Sequence, residues 1–464
     1  MVLTLRGAIA FLTLIGAISA FTVVSPAVAA VTAGITLIGK GVISGNALDK
    51  SGLTGDICIP GVTPPLDPPD PTKCIPKATF GGLGSDLTYT GYDNVFIAAP
   101  DRGPFDGLTN EPYLDRFHVL HITTEVGAPF PNIHTVLLDT RFLNNESGQT
   151  FVGAAGSFAS NNPLDLATLR LDPEGIRVSP SGTFFISDEY GPYVFEFDRQ
   201  GHLLRRLAVP TKFFIANPSA VANNELLGNT SGRQANRGME GLAISPDGRF
   251  LFGIMQNALL QDNGLNPGTT DRLGLNNRIL KIDLVTGETH EYVYVVEAIN
   301  RGQGVSEILA INDHEFLVLE RDNRSNLQTP PQAPTRKKIY KIDLKDATDV
   351  LKDATDVSGT ASLPAGALPA GVTPVSKPLS PFIDLLDPDL NLAATIPEKL
   401  EGLAWGPDLE DGRHVLYVIS DNDLNTSLAT QIYAFAIDAS LINFQPQFLA
   451  APFYPPGQVK KALQ

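Results

Sequence analysis

The chain has 464 residues, enough for one large β domain or two ordinary ones with a substantial core. Its net charge of −16 argues against nucleic acid or an anionic membrane as a partner and is compatible with the binding of cations. Glycine (42 residues) and proline (36) are abundant, and no long segment with a 3.6-residue period follows the first thirty residues. The composition therefore favours a turn-rich all-β fold over a helical one.

The N-terminus has the pattern of a secretory signal peptide. Arg6 precedes an apolar run over residues 8–24, which is followed by the Ala27-Val28-Ala29 motif. The alternative is an uncleaved anchor, because the apolar run approaches the length that spans a bilayer. We expect residues 1–29 to be the signal peptide and the mature chain to be periplasmic or secreted, with no membrane partner.

The two cysteines, Cys58 and Cys74, lie sixteen positions apart in a proline-rich segment. In an exported protein such a pair favours a disulfide that closes a surface loop. A two-cysteine metal site would need histidines close by in the sequence, and none are close. We expect residues 30–79 to hold short strands and this disulfide loop.

From residue 80 onwards a repeated pattern dominates the chain. Each unit has a strand that opens near an acid, a tight turn, and a second strand that ends near further acids; the best example is 172–190. A third and usually a fourth strand follow, and a repeat of four antiparallel strands predicts a β-propeller. Five units are legible, and we expect six blades, with five or seven as alternatives. The sixth would be a degenerate unit or a blade completed by the early strands.

The recurring glutamates mark the spacing of the blades. Gaps of 66, 67 and 94 residues separate Glu174, Glu240, Glu307 and Glu401. A bare blade needs roughly 40 to 50 residues, so we expect insertions at the rim. The largest gap holds a low-complexity insertion over residues 345–381. The propeller is predicted to occupy residues 80–450, and residues 451–464 form a C-terminal tail.

The repeated acids are the strongest functional signal. The first strand of each blade lines the channel of a propeller, so the recurring glutamates should converge there, with acids that end the second strands near one face. The second set comprises Asp188, Glu189, Glu320, Asp322, Asp421 and Asp423. Close carboxylates repel, and raised pKa values, basic neighbours or a divalent cation must offset the repulsion. Oxygen ligands without a Cys or His cluster favour Ca²⁺. Alternatively, these acids tie turns together by accepting hydrogen bonds from backbone N–H groups.

Arginines stand beside these acids in the sequence, and two roles are open to them. They are Arg102, Arg177, Arg237 and Arg321. They could pair with the acids, or they could clamp an anionic group in bidentate fashion. The chain has no Gly-x-Ser-x-Gly, His-Glu-x-x-His or Cys-x-x-Cys motif.

Several spaced motifs between about residues 80 and 440 are similar to those of a known family. They are Asp101-Arg102-Gly103, Pro173-Glu174-Gly175-Ile176, Ser187-Asp188-Glu189-Tyr190, Asn236-Arg237-Gly238-Met239-Glu240-Gly241-Leu242 and Glu401-Gly402-Leu403. The chain resembles the exported phytase-like family, whose domain is named for the esterase-like activity of phytase. The resemblance implies phosphatase or esterase activity, and the related β-propeller phytases hydrolyse phosphate esters at a Ca²⁺-lined channel mouth. Few lysines accompany the acids here, which argues against phytate as the substrate.

We therefore expect a monomeric, metal-dependent phosphoric ester hydrolase with a small anionic or ester substrate. The expected Ca²⁺ ligands are Glu174, Asp188, Glu240, Glu307, Glu401 and Asp421. Arg102 and Arg321 would stabilise charge on the phosphoryl group, and Glu189 or Asp322 would act as the base. The alternatives are a carboxylic ester or lactone hydrolase on the same scaffold, resembling the lactonase propellers, and a non-enzymatic binding propeller with a structural Ca²⁺ site.

Overall fold

A computed structural model describes residues 30–59, 74–83, 85–104, 109–156, 168–297, 304–351, 362–447 and 449–464. The expected signal peptide, the proline-rich stretch at 60–73 and the central part of the low-complexity insertion (352–361) lie outside the described residues. Within the described part of the chain, no helix is long and apolar enough to cross a membrane.

The first strands fall into two groups. β1 (Ala30–Thr32) pairs with β2 (Ile35–Ile43), and β3 (Asp56–Cys58) pairs with β4 (Cys74–Pro76) in a separate two-stranded sheet. Cys58 and Cys74 face each other in the register of this hairpin and form a disulfide. The predicted disulfide is therefore confirmed.

Five antiparallel sheets then form the blades of a propeller, and the predicted all-β propeller fold is confirmed. Blade 1 has β5 (Asp86–Tyr89), β6 (Val95–Ala99), β7 (Arg116–Thr124) and β8 (Ile133–Phe142). Blade 2 has β9 (Pro173–Val178), β10 (Phe184–Asp188), β11 (Val194–Phe197) and β12 (Leu203–Arg206). A short helix, α1 (Ala222–Leu227), precedes blade 3, which has β13 (Met239–Ile244), β14 (Phe250–Met255), β15 (Asn276–Asp283) and β16 (Thr289–Val295).

The remaining two blades complete the ring. Blade 4 has β17 (Gly304–Ala310), β18 (Glu315–Arg321), β19 (Lys337–Asp343) and β20 (Ile383–Asp384). Blade 5 has β21 (Lys399–Trp405), β22 (His414–Asp421) and β23 (Thr430–Ile437), and its outer strands are β2 and β1. A C-terminal helix, α2 (Pro456–Ala462), follows blade 5, and Val459 from this helix packs into the core between blades 1 and 2.

The ring has five blades in the described residues, which is one of the two alternatives to the expected six. The innermost strands are neighbours in the order β5, β9, β13, β17, β21, and β21 lies next to β5. The long gaps between the recurring glutamates belong to loops and to the insertion that separates β19 from β20. The early strand β2 does not complete a sixth blade, because it pairs with β23 in blade 5.

Apolar packing between neighbouring sheets holds the blades together. Each of the five largest clusters of buried apolar side chains fills one blade–blade interface. Both faces of each central strand are thus covered, which explains continuous apolar runs such as Phe184-Phe185-Ile186 in place of strict alternation. The burial of these faces is the main favourable contribution to folding.

The inner strands are irregular where the recurring acids occur. In blades 2 to 5 the register with the second strand shifts next to Glu174, Glu240, Glu307 and Glu401. A bulge of this kind changes the direction in which a side chain points. The glycine that follows the acid in three blades allows close packing: a Cβ on Gly241 would lie 2.7 Å from the backbone nitrogen of Ile308 on the next inner strand.

Candidate functional site

A buried arginine, Arg177 on β9, divides the central channel. Its guanidinium pairs with Asp86 and with Glu307, whose Oε2 lies 3.2 Å from Nη2. It also donates to backbone carbonyls of three neighbouring inner strands, those of Leu87, Ile308 and Leu403. Burial raises the pKa of Glu307 while Arg177 opposes the shift. Arg177 is therefore an ion-pair partner, and Glu307, one of the expected metal ligands, belongs to this central pair.

A polar cavity of about 180 Å³ lies on one side of Arg177, and all five blades contribute to it. Its walls come from the starts of inner strands and from the residues that follow second strands. The lining residues are Asp101, Arg102, Glu174, Glu189, Asn236, Arg237, Glu240, Gln256, Arg321, Asn323, Lys399 and Asp423. The strand ends of a propeller thus bring together residues that are more than 300 positions apart in the sequence.

A larger cavity of about 250 Å³ lies on the other side of Arg177. Its walls are mostly apolar and include Leu309, Trp405 and Phe444, and its ionisable lining residues are Arg177 and Asp408. Because Arg177 is already paired with two carboxylates, this larger cavity offers little for acid–base or metal chemistry. The smaller, polar cavity is the candidate functional site.

The structure places the predicted site residues in three groups. Five of them line the polar cavity: Arg102, Glu174, Glu189, Glu240 and Arg321. Two lie directly behind the lining residues, since Glu401 pairs with Arg321 and Asp421 pairs with Lys399. Three lie elsewhere, namely Glu307 at the central pair and Asp188 and Asp322 in turns.

The carboxylates of Asp188 and Asp322 hold local backbone structure. Asp188 accepts hydrogen bonds from the backbone N–H groups of Asp172, at 2.8 Å, and Gly191, at 2.6 Å. Asp322 accepts from the backbone and hydroxyl of Thr335, both at 2.7 Å. These two acids stabilise turns by accepting backbone hydrogen bonds, which was the alternative interpretation of the repeated acids.

The carboxylates around the polar cavity form three overlapping trios, and within each trio the oxygens lie within 4.8 Å of one another. The first trio is Asp101, Asp421 and Asp423; the second is Asp101, Asp172 and Glu174; the third is Glu174, Glu189 and Glu240. Asp101 joins the first trio to the second, and Glu174 joins the second to the third. The three positions at which a cation could be bound are therefore adjacent.

Side-chain cations occupy the first two trios. The ammonium of Lys399 contacts all three carboxylates of the first, and Arg102 Nη1 lies 3.1 Å from both Asp101 and Asp172 in the second. Burial acts to raise the pKa of Asp101, but Arg102 and Lys399 hold it down at about 2. Burial acts to lower the pKa of Lys399, and the carboxylates around it raise that pKa well above its usual range. Each of these two positions thus already holds a side-chain cation.

The third trio has no such cation. Within the described residues, neither Glu174 nor Glu240 has a Lys, Arg or His nitrogen within 4 Å, and the nearest contact of Glu189 is Arg102 Nη1 at 3.8 Å. Glu189 Oε2, Glu240 Oε2 and Gln256 Oε1 are buried without a hydrogen-bond partner. Burial, followed by the charges of neighbouring acids, raises the pKa of Glu174 and of Glu240. These oxygens fit a hard divalent cation such as Ca²⁺.

The cavity also contains an arginine without a carboxylate partner among the described residues. Arg237 Nη1 donates to the backbone carbonyl of Asn236, and no acid lies within 4 Å of its guanidinium. Burial lowers its pKa. The Asn-Arg-Gly sequence explains its position, because Asn236 adopts a left-handed conformation (φ 53°) and a Cβ on Gly238 would lie 2.3 Å from the carbonyl oxygen of Glu189. An uncompensated guanidinium of this kind suits an anionic ligand.

Two residues that the cavity uses, Lys399 and Asp101, were not among the predicted site residues. Lys399 lies two positions before the recurring Glu401 on β21, but the register shift at Glu401 interrupts the two-residue period of the strand between them. Its proximity in sequence to Glu401 was the available signal. Asp101 was present in the Asp-Arg-Gly motif, where only the arginine was selected.

Comparison with known proteins identifies a family and a secreted relative. A protein-family model described as phytase-like, "Esterase-like activity of phytase", matches residues 78–424. An uncharacterized secreted protein from Arthroderma benhamiae is 27% identical over 478 residues, covering 85% of this chain and 88% of that protein.

Solved structures show only distant likeness. An ancestral GH74 enzyme aligns with a TM-score of 0.32 and 13% identity over 75% of this chain, which spans 34% of the length of that enzyme. A gluconolactonase from Xanthomonas campestris aligns with a TM-score of 0.29 and 10% identity, over 75% of this chain and 85% of its own. Neither likeness bears on the chemistry of the site. The family model covers most of the sequence, and the chain belongs to the phytase-like family of proteins described by the esterase-like activity of phytase.

Proposed function

We propose that this protein is an exported, metal-dependent phosphoric ester hydrolase that acts at the polar cavity. One observation carries the proposal: among the described residues, Glu174 and Glu240 have no Lys, Arg or His nitrogen within 4 Å, Arg237 has no carboxylate within 4 Å, and all three line the same cavity. Such a cavity suits a cation and an anion that bind together, as a divalent ion and a phosphoryl group do.

Glu174 and Glu240 would hold the metal ion beside Glu189, with Gln256, whose amide nitrogen donates to Glu240, offering its unpartnered Oε1 as an additional ligand. Oxygen ligands without sulfur or imidazole favour Ca²⁺ among the common divalent ions. When bound, the ion would polarise a phosphoryl oxygen and lower the pKa of a bound water.

The arginines would bind the phosphoryl oxygens. Arg237 has donors that no carboxylate of the described residues accepts, and Arg321 Nε is buried without an acceptor. Arg321 is held in place because its two terminal nitrogens donate to Glu401 and, at 2.6 Å, to Asn323. Fixed donors of this kind stabilise charge that develops on the phosphoryl group.

Glu189 is the candidate proton acceptor for the attacking water. Its Oε2 is buried and makes no hydrogen bond, while Oε1 receives the backbone N–H of Gly238 at 3.3 Å. One carboxylate oxygen is thus anchored, and the other accepts no hydrogen bond from the described residues and would be available to a water. The other expected base, Asp322, lies outside the cavity and has no role in this scheme.

Export is supported by the N-terminal signal pattern and by the secreted relative from Arthroderma benhamiae. Periplasmic or extracellular Ca²⁺ would then be available to the site. We propose that the mature protein acts there as a monomer.

A carboxylic ester or lactone hydrolase is the second candidate, and the charge of the cavity favours it. The lining has five carboxylates against four basic side chains, so the cavity is negative until a cation binds. A neutral ester enters such a cavity without repulsion, whereas a phosphate dianion needs the metal ion. A binding propeller without catalysis, in which the trio holds a structural Ca²⁺, is the third candidate.

The test is hydrolysis of p-nitrophenyl phosphate with Ca²⁺ and after chelation by EDTA. We expect chelation to abolish turnover, Glu240→Gln to lower kcat/KM at least about 100-fold, and Arg237→Met to lower it by a similar factor. Glu410→Gln and Arg205→Met change the same residue types at exposed positions outside the cavity and should leave kcat/KM unchanged.

Three outcomes separate the candidates. Turnover that survives both EDTA and Glu240→Gln would refute the phosphatase proposal. Activity confined to p-nitrophenyl acetate or to lactones would assign the second candidate. If all these substrates are inert while Ca²⁺ raises the Tm, the protein is a binding propeller.

A further inference from the structure

We propose that Lys399 is a built-in cation that takes the place of a second divalent ion, so that the polar cavity accepts one metal ion beside a tethered ammonium. This inference deepens the proposed function and rests on the metal site described there. It concerns how many ions the cavity binds and which residue sets that number.

The contacts of Lys399 are those of a bound cation. Its Nζ lies 2.5 Å from Asp423 Oδ1, 3.2 Å from Asp421 Oδ2 and 3.4 Å from Asp101 Oδ2. These three carboxylates form the first trio, whose oxygens could otherwise surround a metal ion. The side chain comes from the start of β21, so the blade itself delivers the charge to this position.

The ammonium is surrounded by these acids. It donates hydrogen bonds to Asp101 Oδ2 and Asp421 Oδ2, and Asp423 Oδ1 is an ion-pair contact at 2.5 Å. Three carboxylates within 3.4 Å thus compensate the ammonium, although it lines the cavity. We therefore assign the side chain to charge compensation of these acids and not to substrate binding.

The order of the three trios shows why this matters for the metal site. The first trio contains Lys399 and the second contains Arg102. In the third, Arg102 reaches only Glu189, at 3.8 Å, and no Lys, Arg or His nitrogen of the described residues lies within 4 Å of Glu174 or Glu240. Adjacent trios share one acid each, so a divalent ion in the third trio is separated from Lys399 by the Arg102 position only. A second divalent ion in the first trio would have to displace the ammonium. The cavity is thus built for a single metal ion, in contrast with two-metal phosphatase sites.

The test is the stoichiometry of Ca²⁺ binding to the full mature chain, measured by isothermal titration calorimetry and native mass spectrometry. We expect one ion for the wild type and two for Lys399→Ala, because removal of the ammonium leaves Asp421 and Asp423 without their contact cation and Asp101 with Arg102 alone. Lys338→Ala is the matched control: it also removes a lysine that is paired with an acid, Glu297 at 3.0 Å, but on the rim of blade 4. It should still bind one ion.

Two more variants keep the test decisive. Lys399→Gln retains a hydrogen-bond donor and serves if Lys399→Ala does not fold; it should also bind two ions. Adding Asp423→Asn to the Lys399 variant removes one ligand and should weaken the second site at least tenfold.

The outcomes distinguish this inference from the proposed function. One ion in the wild type and one in both Lys399 variants would overturn the inference and leave the proposed metal site intact. No ion in the wild type but one in the Lys399 variants would support the inference and overturn the proposed metal site. Two ions in the wild type, or none in any variant, would overturn the inference.

Discussion

Replacement of Glu174 by glutamine should stabilise the protein without divalent ions and remove its stabilisation by Ca²⁺. Glu174 is 5% exposed, has no hydrogen-bond or ion-pair partner among the described residues, and belongs to two of the carboxylate trios. The substitution retains the shape of the side chain but removes one charge from this cluster.

The size of the effect follows from the distances. Two unit charges 4.8 Å apart, the upper limit within the trios, repel by about 3 kcal/mol at an effective dielectric constant of 20. Burial and the neighbouring acids raise the pKa of Glu174, so protonation already relieves part of this repulsion. Arg102 and Arg237 offset another part. A net gain of about 1–3 kcal/mol in the free energy of unfolding is expected for Glu174→Gln in EDTA.

Ca²⁺ should reverse the order of stability. An ion that binds only the folded wild type and is present at 100 times its Kd adds about 2.7 kcal/mol to the free energy of unfolding. The variant lacks one ligand for this ion and should not gain this stabilisation. Urea unfolding of both proteins at pH 7.5, with EDTA and with millimolar Ca²⁺, measures both effects, and Glu410→Gln at an exposed site is the control. A variant that is less stable than the wild type in EDTA, or equally stabilised by Ca²⁺, would refute the electrostatic reasoning.

Three further predictions concern the scaffold. Burial lowers the pKa of His118 to about 3. Between pH 6.5 and pH 3 only the unfolded chain takes up a proton at this residue, so the wild type should lose about 1.4 kcal/mol of stability per pH unit as the pH falls. The free energy of unfolding of His118→Gln should lack this pH-dependent component. Arg177→Met leaves two buried carboxylates without their cation and should cost about 3–5 kcal/mol in urea unfolding. The control Arg413→Met, at a half-buried position whose partner Asp411 is exposed, should cost less than about 1 kcal/mol. The double substitution of Cys58 and Cys74 by serine should lower the free energy of unfolding by about 3 kcal/mol, which is the contribution expected of a disulfide that closes a loop of this length. A loss below about 0.5 kcal/mol would show that the disulfide does not stabilise the fold.

The repeat, the all-β class and the disulfide could be read from the sequence because they depend on local patterns. Strand–turn–strand units with an acid at a fixed place are visible one unit at a time, and two cysteines allow one pairing. The blade count was not accessible in this way. The number of blades depends on how the ring closes, and the closure uses β2, which is separated from its partner β23 by almost the whole chain.

The contacts of the individual recurring acids could not be predicted from the sequence either. Glu174, Glu240, Glu307 and Glu401 occupy equivalent places in four repeats, yet two line the cavity, one pairs with Arg321 and one pairs with Arg177 at the centre. A sequence pattern shows that an acid recurs. Whether its ionised carboxylate is electrostatically compensated depends on which cation lies within a few ångströms in the folded protein. The sequence alone therefore determined the propeller and the acidic character of its channel. The tertiary structure alone decided which carboxylates are already neutralised by arginine or lysine and which remain free for a ligand, because charges from all five blades meet only in the folded ring.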